Sequence, residues 1–354
     1  MASGETARRY HSFLMTSTIG NPNVLAPVIY QPDWKFLNPF NWFARYDNTP
    51  LENLLSSNYY WYDENRSPLM TFPDKGEPRL LLISVDIQDC STAVTFDSFP
   101  KDKKFSKCIT IYGDDDFKYT TEYDGITPEH VTTSMSTHQK YRYLHFPVVK
   151  EDKTKTKENK TIEERYFWDG AYLSNTPLRE VIQHHRDYWH NIRNEKQVPD
   201  LEVYIVNLYP RTEKSIDNVI IDSDLIQDRE IVIKFHDRTN YDKISELTND
   251  YVDLVTLLID RSLEHAANRE ALLKEFNNIF KSTKTRSRKR SGNDRKFSDL
   301  IDGRFRITRV GKVERPDDGY TIFGKAFEFS HATVNNLREN GYKDGRNAAF
   351  KETG

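Results

Sequence analysis

Apolar residues along the chain fall into two rhythms. Arg79 to Ile87, Arg-Leu-Leu-Leu-Ile-Ser-Val-Asp-Ile, is a near-continuous apolar run of strand length, the pattern of a strand buried on both faces of a sheet. Leu201 to Leu208 repeats it, Thr92 to Phe96 is a shorter version, and Arg304 to Val313 predicts a further strand. Helical spacing dominates from about Tyr241 to Phe280, where Ile244, Leu247, Tyr251, Leu254 and Leu258 are followed by Leu272, Phe276 and Ile279. A last helix is predicted over Ser330 to Asn340.

Capping residues mark where other helices start. Thr49-Pro50-Leu51-Glu52 and Thr127-Pro128-Glu129-His130 each place a threonine cap before a proline at the first helical position, and the second helix runs into Val131 to Ser136. Ala7 to Met15 predicts an N-terminal helix that Gly20-Asn21-Pro22-Asn23 ends. Between them, Pro27 to Phe43 mixes Pro27, Pro32 and Pro39 with Tyr30, Trp34, Phe36, Phe40, Trp42 and Phe43, which suits an irregular loop pinned down by its aromatics. Lys150 to Thr161 is Lys-rich without periodicity and predicts a surface loop; Lys284 to Arg295 predicts a basic, Ser-rich linker. Strands alternating with helices point to an α/β layered domain with a more helical C-terminal region.

Composition narrows the class. A length of 354 residues suits one large α/β domain or two modest ones. Only 37% of residues are apolar, but 20 Phe, 20 Tyr and 5 Trp supply enough bulk for a core. The 51 basic and 54 acidic residues nearly cancel to −3, so no global field draws nucleic acid or an anionic membrane. Cys90 and Cys108 make no disulfide framework or metal set, which suits a reducing cytoplasm. The N-terminus has no apolar targeting core and no run of 18 apolar residues follows, so the expectation is a cytoplasmic protein, soluble or peripheral to a membrane.

The chemistry centres on Asp169-Gly170-Ala171. A strand ending in Trp168-Asp169-Gly170-Ala171, with Asn175-Thr176-Pro177-Leu178 opening a helix, puts one carboxylate at a strand end on a tight glycine turn. By itself an Asp-Gly pair is a common turn. Trp168 to Leu178, however, resembles the segment of patatin-like phospholipases that supplies the aspartate of a Ser-Asp catalytic dyad. Ala7-Arg8-Arg9-Tyr10, Phe36-Leu37-Asn38-Pro39, Thr49-Pro50-Leu51, the strand to Asp86, His130-Val131-Thr132-Thr133-Ser134 and Ser330 to Gly345 resemble microbial members in the same order.

That resemblance implies a three-layer patatin-like sheet with flanking helices, incomplete at its N-terminal side, with residues 1–185 as the C-terminal part of the phospholipase domain. Residues 186–354 would be the family's more helical C-terminal region, with the basic linker near 284–295. It implies acyl-ester hydrolysis without histidine or cofactor: a serine attacks a lipid or phospholipid carbonyl, Asp169 accepts its proton, and glycine-rich amides hold the oxyanion.

The chain departs from that pattern. No glycine-rich oxyanion loop and no Gly-x-Ser-x-Gly elbow occurs. Ser3-Gly4 and Ser291-Gly292 lack a strand-turn-helix context, and Ser134 and Ser136, in place of the family's Pro-rich acyl-site loop, lack the glycines of an elbow. The expectation is therefore the aspartate half of a lipid acyl hydrolase, inactive alone, from a truncated or split reading frame, with an N-terminal companion chain as a partner.

Two other classes stay open: a non-catalytic lipid- or partner-binding protein derived from the fold, and a nucleic-acid binder using Arg286 to Arg290. The latter run reads better as a solvated linker, so no nucleic acid is expected. His184, His185 and His190 lack a completing ligand pattern, and Asp114-Asp115-Asp116 lacks the spaced oxygens of a calcium loop and reads as a charged turn.

Overall fold

The computed structural model describes residues 31–32, 46–47, 68–89, 93–102, 104–114, 116–136, 143–154, 160–195, 197–207, 241–288, 294–313 and 331–349. The expected helices at Ala7 and Thr49 and most of the aromatic loop lie outside them. From that loop, Gln31–Pro32 (β1) pairs antiparallel with Tyr46–Asp47 (β2) beyond its end. The chain divides into two compact units. The first contains residues 1–175, 210–236 and 315–344, and the second 176–209, 237–314 and 345–354.

The first unit is built on a six-stranded sheet. Its strands are Leu81–Asp86 (β3), Ala93–Asp97 (β4), Cys108–Gly113 (β5), Phe117–Tyr123 (β6), Leu144–Asp152 (β7) and Lys160–Asp169 (β8). They lie in the order β4-β3-β8-β7-β6-β5, and every pairing is antiparallel. Pro128–Thr133 (α1) packs against β3, β7 and β8. The core is aromatic: Phe96, Tyr112, Tyr119, Val148 and Phe167 interlock, with Phe96 edge-on to Phe167 at 5.6 Å and Tyr112 stacked on Tyr119 at 5.1 Å.

The protein is thus mixed α and β, but in this unit all consecutive strands except β4 and β5 are antiparallel neighbours, and among the described residues only α1, between β6 and β7, interrupts them. β5 and β6 carry the alternation Cys-Ile-Thr-Ile-Tyr and Phe-Lys-Tyr-Thr-Thr, a period-2 pattern of half-buried strands that long apolar runs do not reveal. Lys150 to Asp152 and Lys160 to Thr161, expected within a loop, are strand: β7 and β8 remain paired out to Glu151 opposite Lys160, and residues 155–159 lie outside the described residues. Polar residues fit there because hairpin ends face water.

The other expectations fare unevenly. β3 is buried along Ile83 to Asp86 and β4 throughout, as an apolar run requires. α1 starts at Pro128 with Thr127 as cap but ends at Thr133, short of Ser136. Asp114 makes a tight turn between β5 and β6, its carboxylate accepting from the Asp116 and Phe117 amides at 2.9 and 2.8 Å.

The second unit holds Leu178–Arg186 (α3), which continues as a π-helical turn over Asp187–Ile192, then Leu201–Val206 (β9). Tyr241–His265 (α4), Arg269–Ser282 (α5), Lys284–Arg288 (β10), Asp294–Lys296 (β11), Ser298–Ile301 (α6) and Ile307–Val313 (β12) follow. β9 and β12 form a parallel pair over a small core of Val198, Phe305 and Ile307. β9 alternates half-buried and exposed residues instead of being covered on both faces, because only one face meets the core. The long helix is two, broken before the Asn268 cap, whose carbonyl accepts from the Ala271 amide at 3.1 Å. The basic linker begins and ends as an antiparallel pair, β10 with β11. The last helix, His331–Ala349 (α7), assigned to the first unit up to Asp344, runs beyond Asn340.

Candidate functional site

Asp169 is the last residue of β8, and the backbone beyond it explains the glycine. Gly170 has φ −64°, a conformation open to any residue, so positive φ is not the reason. A Cβ at Gly170 would collide with the carbonyl of Ile83 on the neighbouring strand. Only glycine lets β8 turn off the sheet this close to β3. Ala171–Ser174 (α2) begins at once. Asp169 is fixed by its backbone amide, which donates to the Ser136 carbonyl at 2.9 Å. Its Oδ1 accepts from the Ala171 amide at 2.8 Å.

The carboxyl is half-buried. Burial pushes its pKa from 3.8 up to about 6, and the Ala171 hydrogen bond offsets part of that rise. A carboxylate of this kind holds a proton weakly below neutral pH and is ready to accept one above it, which is what a general base requires.

Sequence reasoning missed its neighbour. Ser84 on β3 lies directly opposite Asp169. The Ile87 amide donates to the Tyr166 carbonyl at 3.0 Å. Hydrogen-bonded and non-hydrogen-bonded pairs alternate along an antiparallel ladder, so Ser84 and Asp169 form a non-hydrogen-bonded pair, the kind whose side chains approach most closely. Ser84 is 0% exposed and its Oγ has no hydrogen-bond partner. It therefore satisfies the proximity condition for a nucleophile but not the access condition. Only the register reveals it; in sequence it is one polar residue inside an apolar strand.

The other hydroxyls near this strand end turn inward. Thr133 Oγ1 donates to the Glu129 carbonyl at 2.7 Å, Ser134 Oγ to Val131 at 2.8 Å and Ser136 Oγ to Thr132 at 2.6 Å. Ser136 thus comes close to Asp169 through its backbone, while its hydroxyl serves its own turn. Ser3 and Ser291 lie outside the described residues. His130 is buried against Phe146, its ring stacked at 4.6 Å, and Nδ1 accepts from the Thr127 amide at 3.1 Å. Burial lowers its pKa to about 4, with Glu129 opposing, so it is a neutral cap and core residue.

A second charged cluster spans the sheet. Asp86, fully buried, accepts from Arg165 Nε at 2.8 Å, Tyr112 Oη at 2.7 Å and the Gln88 amide at 2.9 Å. The Arg165 guanidinium lies over the Tyr119 ring, 4.5 Å from its centroid. Burial and the Asp86 charge push the Tyr112 phenol far above its usual range. These contacts tie β3, β5, β6 and β8 together and make the cluster structural. The signal in the sequence was an aspartate within a buried apolar run, which must find a cation.

His185 Nε2 lies 2.7 Å from the Pro199 carbonyl and His190 Nδ1 3.2 Å from that of Glu195, both as turn ties. Among the described residues no three His, Cys, Asp or Glu side chains converge to hold a metal ion. No helix among them is long and apolar enough to cross a membrane. No family model, curated protein or solved structure matches the chain.

Proposed function

We propose that this chain carries the proton-accepting half of a patatin-like lipid acyl hydrolase, with Asp169 as the base and Gly170 and Ala171 forming the turn that holds it. The observation that carries this reading is the Asp169 carboxyl itself, half-buried at a strand end, held by the Ala171 amide and shifted to about 6. In the reaction, a serine oxygen adds to the ester carbonyl as its proton passes to Asp169; that proton then goes to the departing alcohol, leaving an acyl-enzyme for water to cleave. No cofactor enters these steps. The substrate is a lipid or phospholipid ester met at a membrane surface, and the serine comes from a companion polypeptide. Alone, the chain has a base without a nucleophile or an oxyanion hole, which leaves the largest barrier-lowering contributions absent.

A second reading, a non-catalytic lipid-binding protein, is favoured by the inward-turned hydroxyls of Ser134 and Ser136. Hydrolysis of a short-chain nitrophenyl ester separates the readings. The purified chain should be inert. Addition of a polypeptide bearing the strand, glycine-rich loop and Gly-x-Ser-x-Gly elbow of an active patatin-like enzyme should produce a rate that Asp169→Asn abolishes. Ester turnover by the chain alone, or a complemented rate indifferent to Asp169→Asn, would refute the proposal. Binding to phosphatidylcholine vesicles with no hydrolysis in either mixture would favour the second reading.

A further inference from the structure

The amphipathic pattern of α4 is inverted relative to its own unit. One face is seated: Val252 and Leu263 are buried, Asn249 Nδ2 donates to the Phe305 carbonyl at 2.9 Å, and Asp253 pairs with Arg304 at 2.5 Å and Arg306 at 2.8 Å. At 100° per residue, the opposite face carries Ile244, Leu247, Tyr251, Leu254 and Leu258. These five are 51 to 62% exposed. Their spacing of three, four, three and four is the a/d seam of a coiled coil, sustained over four turns.

We propose that this face is a self-association surface, on which α4 of a second copy of this chain packs antiparallel. Charge selects both the occupant and the direction. In an antiparallel pair the seam aligns Tyr251 with Leu254 of the other copy, and the flanking g positions meet each other. Lys243 then faces Glu264 of the second copy at both ends, by symmetry, and Asp250 faces Leu257 with no like-charge clash. A parallel pair would set Arg261 against itself in the seam, where the antiparallel pair sets it against Ile244, and would give Lys243 only Thr248 to face. A twofold axis makes both Lys243–Glu264 pairs at once, as an isologous interface does.

Area sets the strength. About half of five large side chains is on the order of 500 Å² per helix, or roughly 1,000 Å² in all, which is the lower end of specific interfaces and suits a reversible dimer. Glu264 is already paired with Arg261 on its own helix at 2.9 Å, so Lys243 of the partner copy would join an existing charge pair rather than meet a lone carboxylate.

Sedimentation equilibrium of the full chain from about 1 to 100 µM tests this, a range that covers weak, reversible dimers. The wild type should show a concentration-dependent monomer–dimer equilibrium. Leu247→Glu with Leu254→Glu should be monomeric throughout, with unchanged circular dichroism and, at concentrations where the wild type is monomeric, unchanged melting, because the free chain already exposes both residues. Lys243→Glu should weaken the dimer about threefold to tenfold, the effect of two exposed charge pairs. The swap Lys243→Glu with Glu264→Lys should restore it. A wild type that is monomeric at the highest concentration overturns the proposal. So does a dimer unmoved by the double Glu variant, or Lys243→Glu without rescue by the swap. If the double Glu variant melts earlier while the wild type is monomeric, the chain covers this face itself, and the proposal fails.

Discussion

Asp169→Asn should stabilise the protein at neutral pH, a test that needs no substrate. The carboxyl has a folded pKa of about 6 against 3.8 in the unfolded chain. Between these values the folded state binds more protons than the unfolded one, so this residue's contribution to stability is intact below 3.8 and lost as pH rises through 6. About two pKa units correspond to an upper figure of roughly 3 kcal/mol, and half-burial reduces it to about 1–2 kcal/mol. Asparagine keeps an oxygen for the Ala171 amide and carries no charge to desolvate. Thermal melts at pH 7.5 should therefore show the variant about 2–8 °C above wild type, with the gap narrowing as pH falls below 6 and closing only below about 3.8. His130 adds its own slope: it is shifted down to about 4, so its contribution is intact above about 6.5 and fades towards pH 4. Because both proteins carry His130, that slope cancels in the difference. A variant that melts with or below wild type at pH 7.5, or a gap independent of pH, would show that Asp169 is a solvated turn residue and would remove the main support for its role as a base. The stabilisation is the signature of a group kept at a cost to the fold.

Two further substitutions test the frame around the site. Gly170→Ala should destabilise by about 2–3 kcal/mol, because a Cβ there meets the Ile83 backbone and a central strand cannot give way; Gly341→Ala, on α7 with no atom within 4 Å of the new Cβ, should instead stabilise by about 0.5–1 kcal/mol. Equal denaturation midpoints for the two would contradict the close approach of β8 to β3. Arg165→Ala should cost about 3–5 kcal/mol in urea unfolding, because Asp86 is left buried and charged without its cation, and a loss under about 1 kcal/mol would mean that the cluster is open to water.

Sequence by itself located the two buried strands and the cap that starts α1, because continuous apolar runs and Thr-Pro signals are local: β3, β4 and the Thr127–Pro128 start lie within a residue or two of where those patterns put them, while β12 begins three residues later than its run. It also singled out Asp169 on its glycine turn. Tertiary structure alone decided the rest. Half-buried strands such as β5 to β7 are defined by the partner that covers one face, so Lys150 and Thr161 could look like loop until their register paired them. The reason for Gly170 is a collision with Ile83, 87 positions away in the chain by their numbers, and no local conformation announces it. The same holds for Ser84 opposite Asp169 and for Arg165 reaching Asp86, which are neighbours only because β3 and β8 pair. The seam on α4 was legible as a hydrophobic period, but the period cannot say which way the helix faces. The contacts of Asn249 and Asp253 decide that, by seating the polar edge inward and leaving the apolar stripe to water.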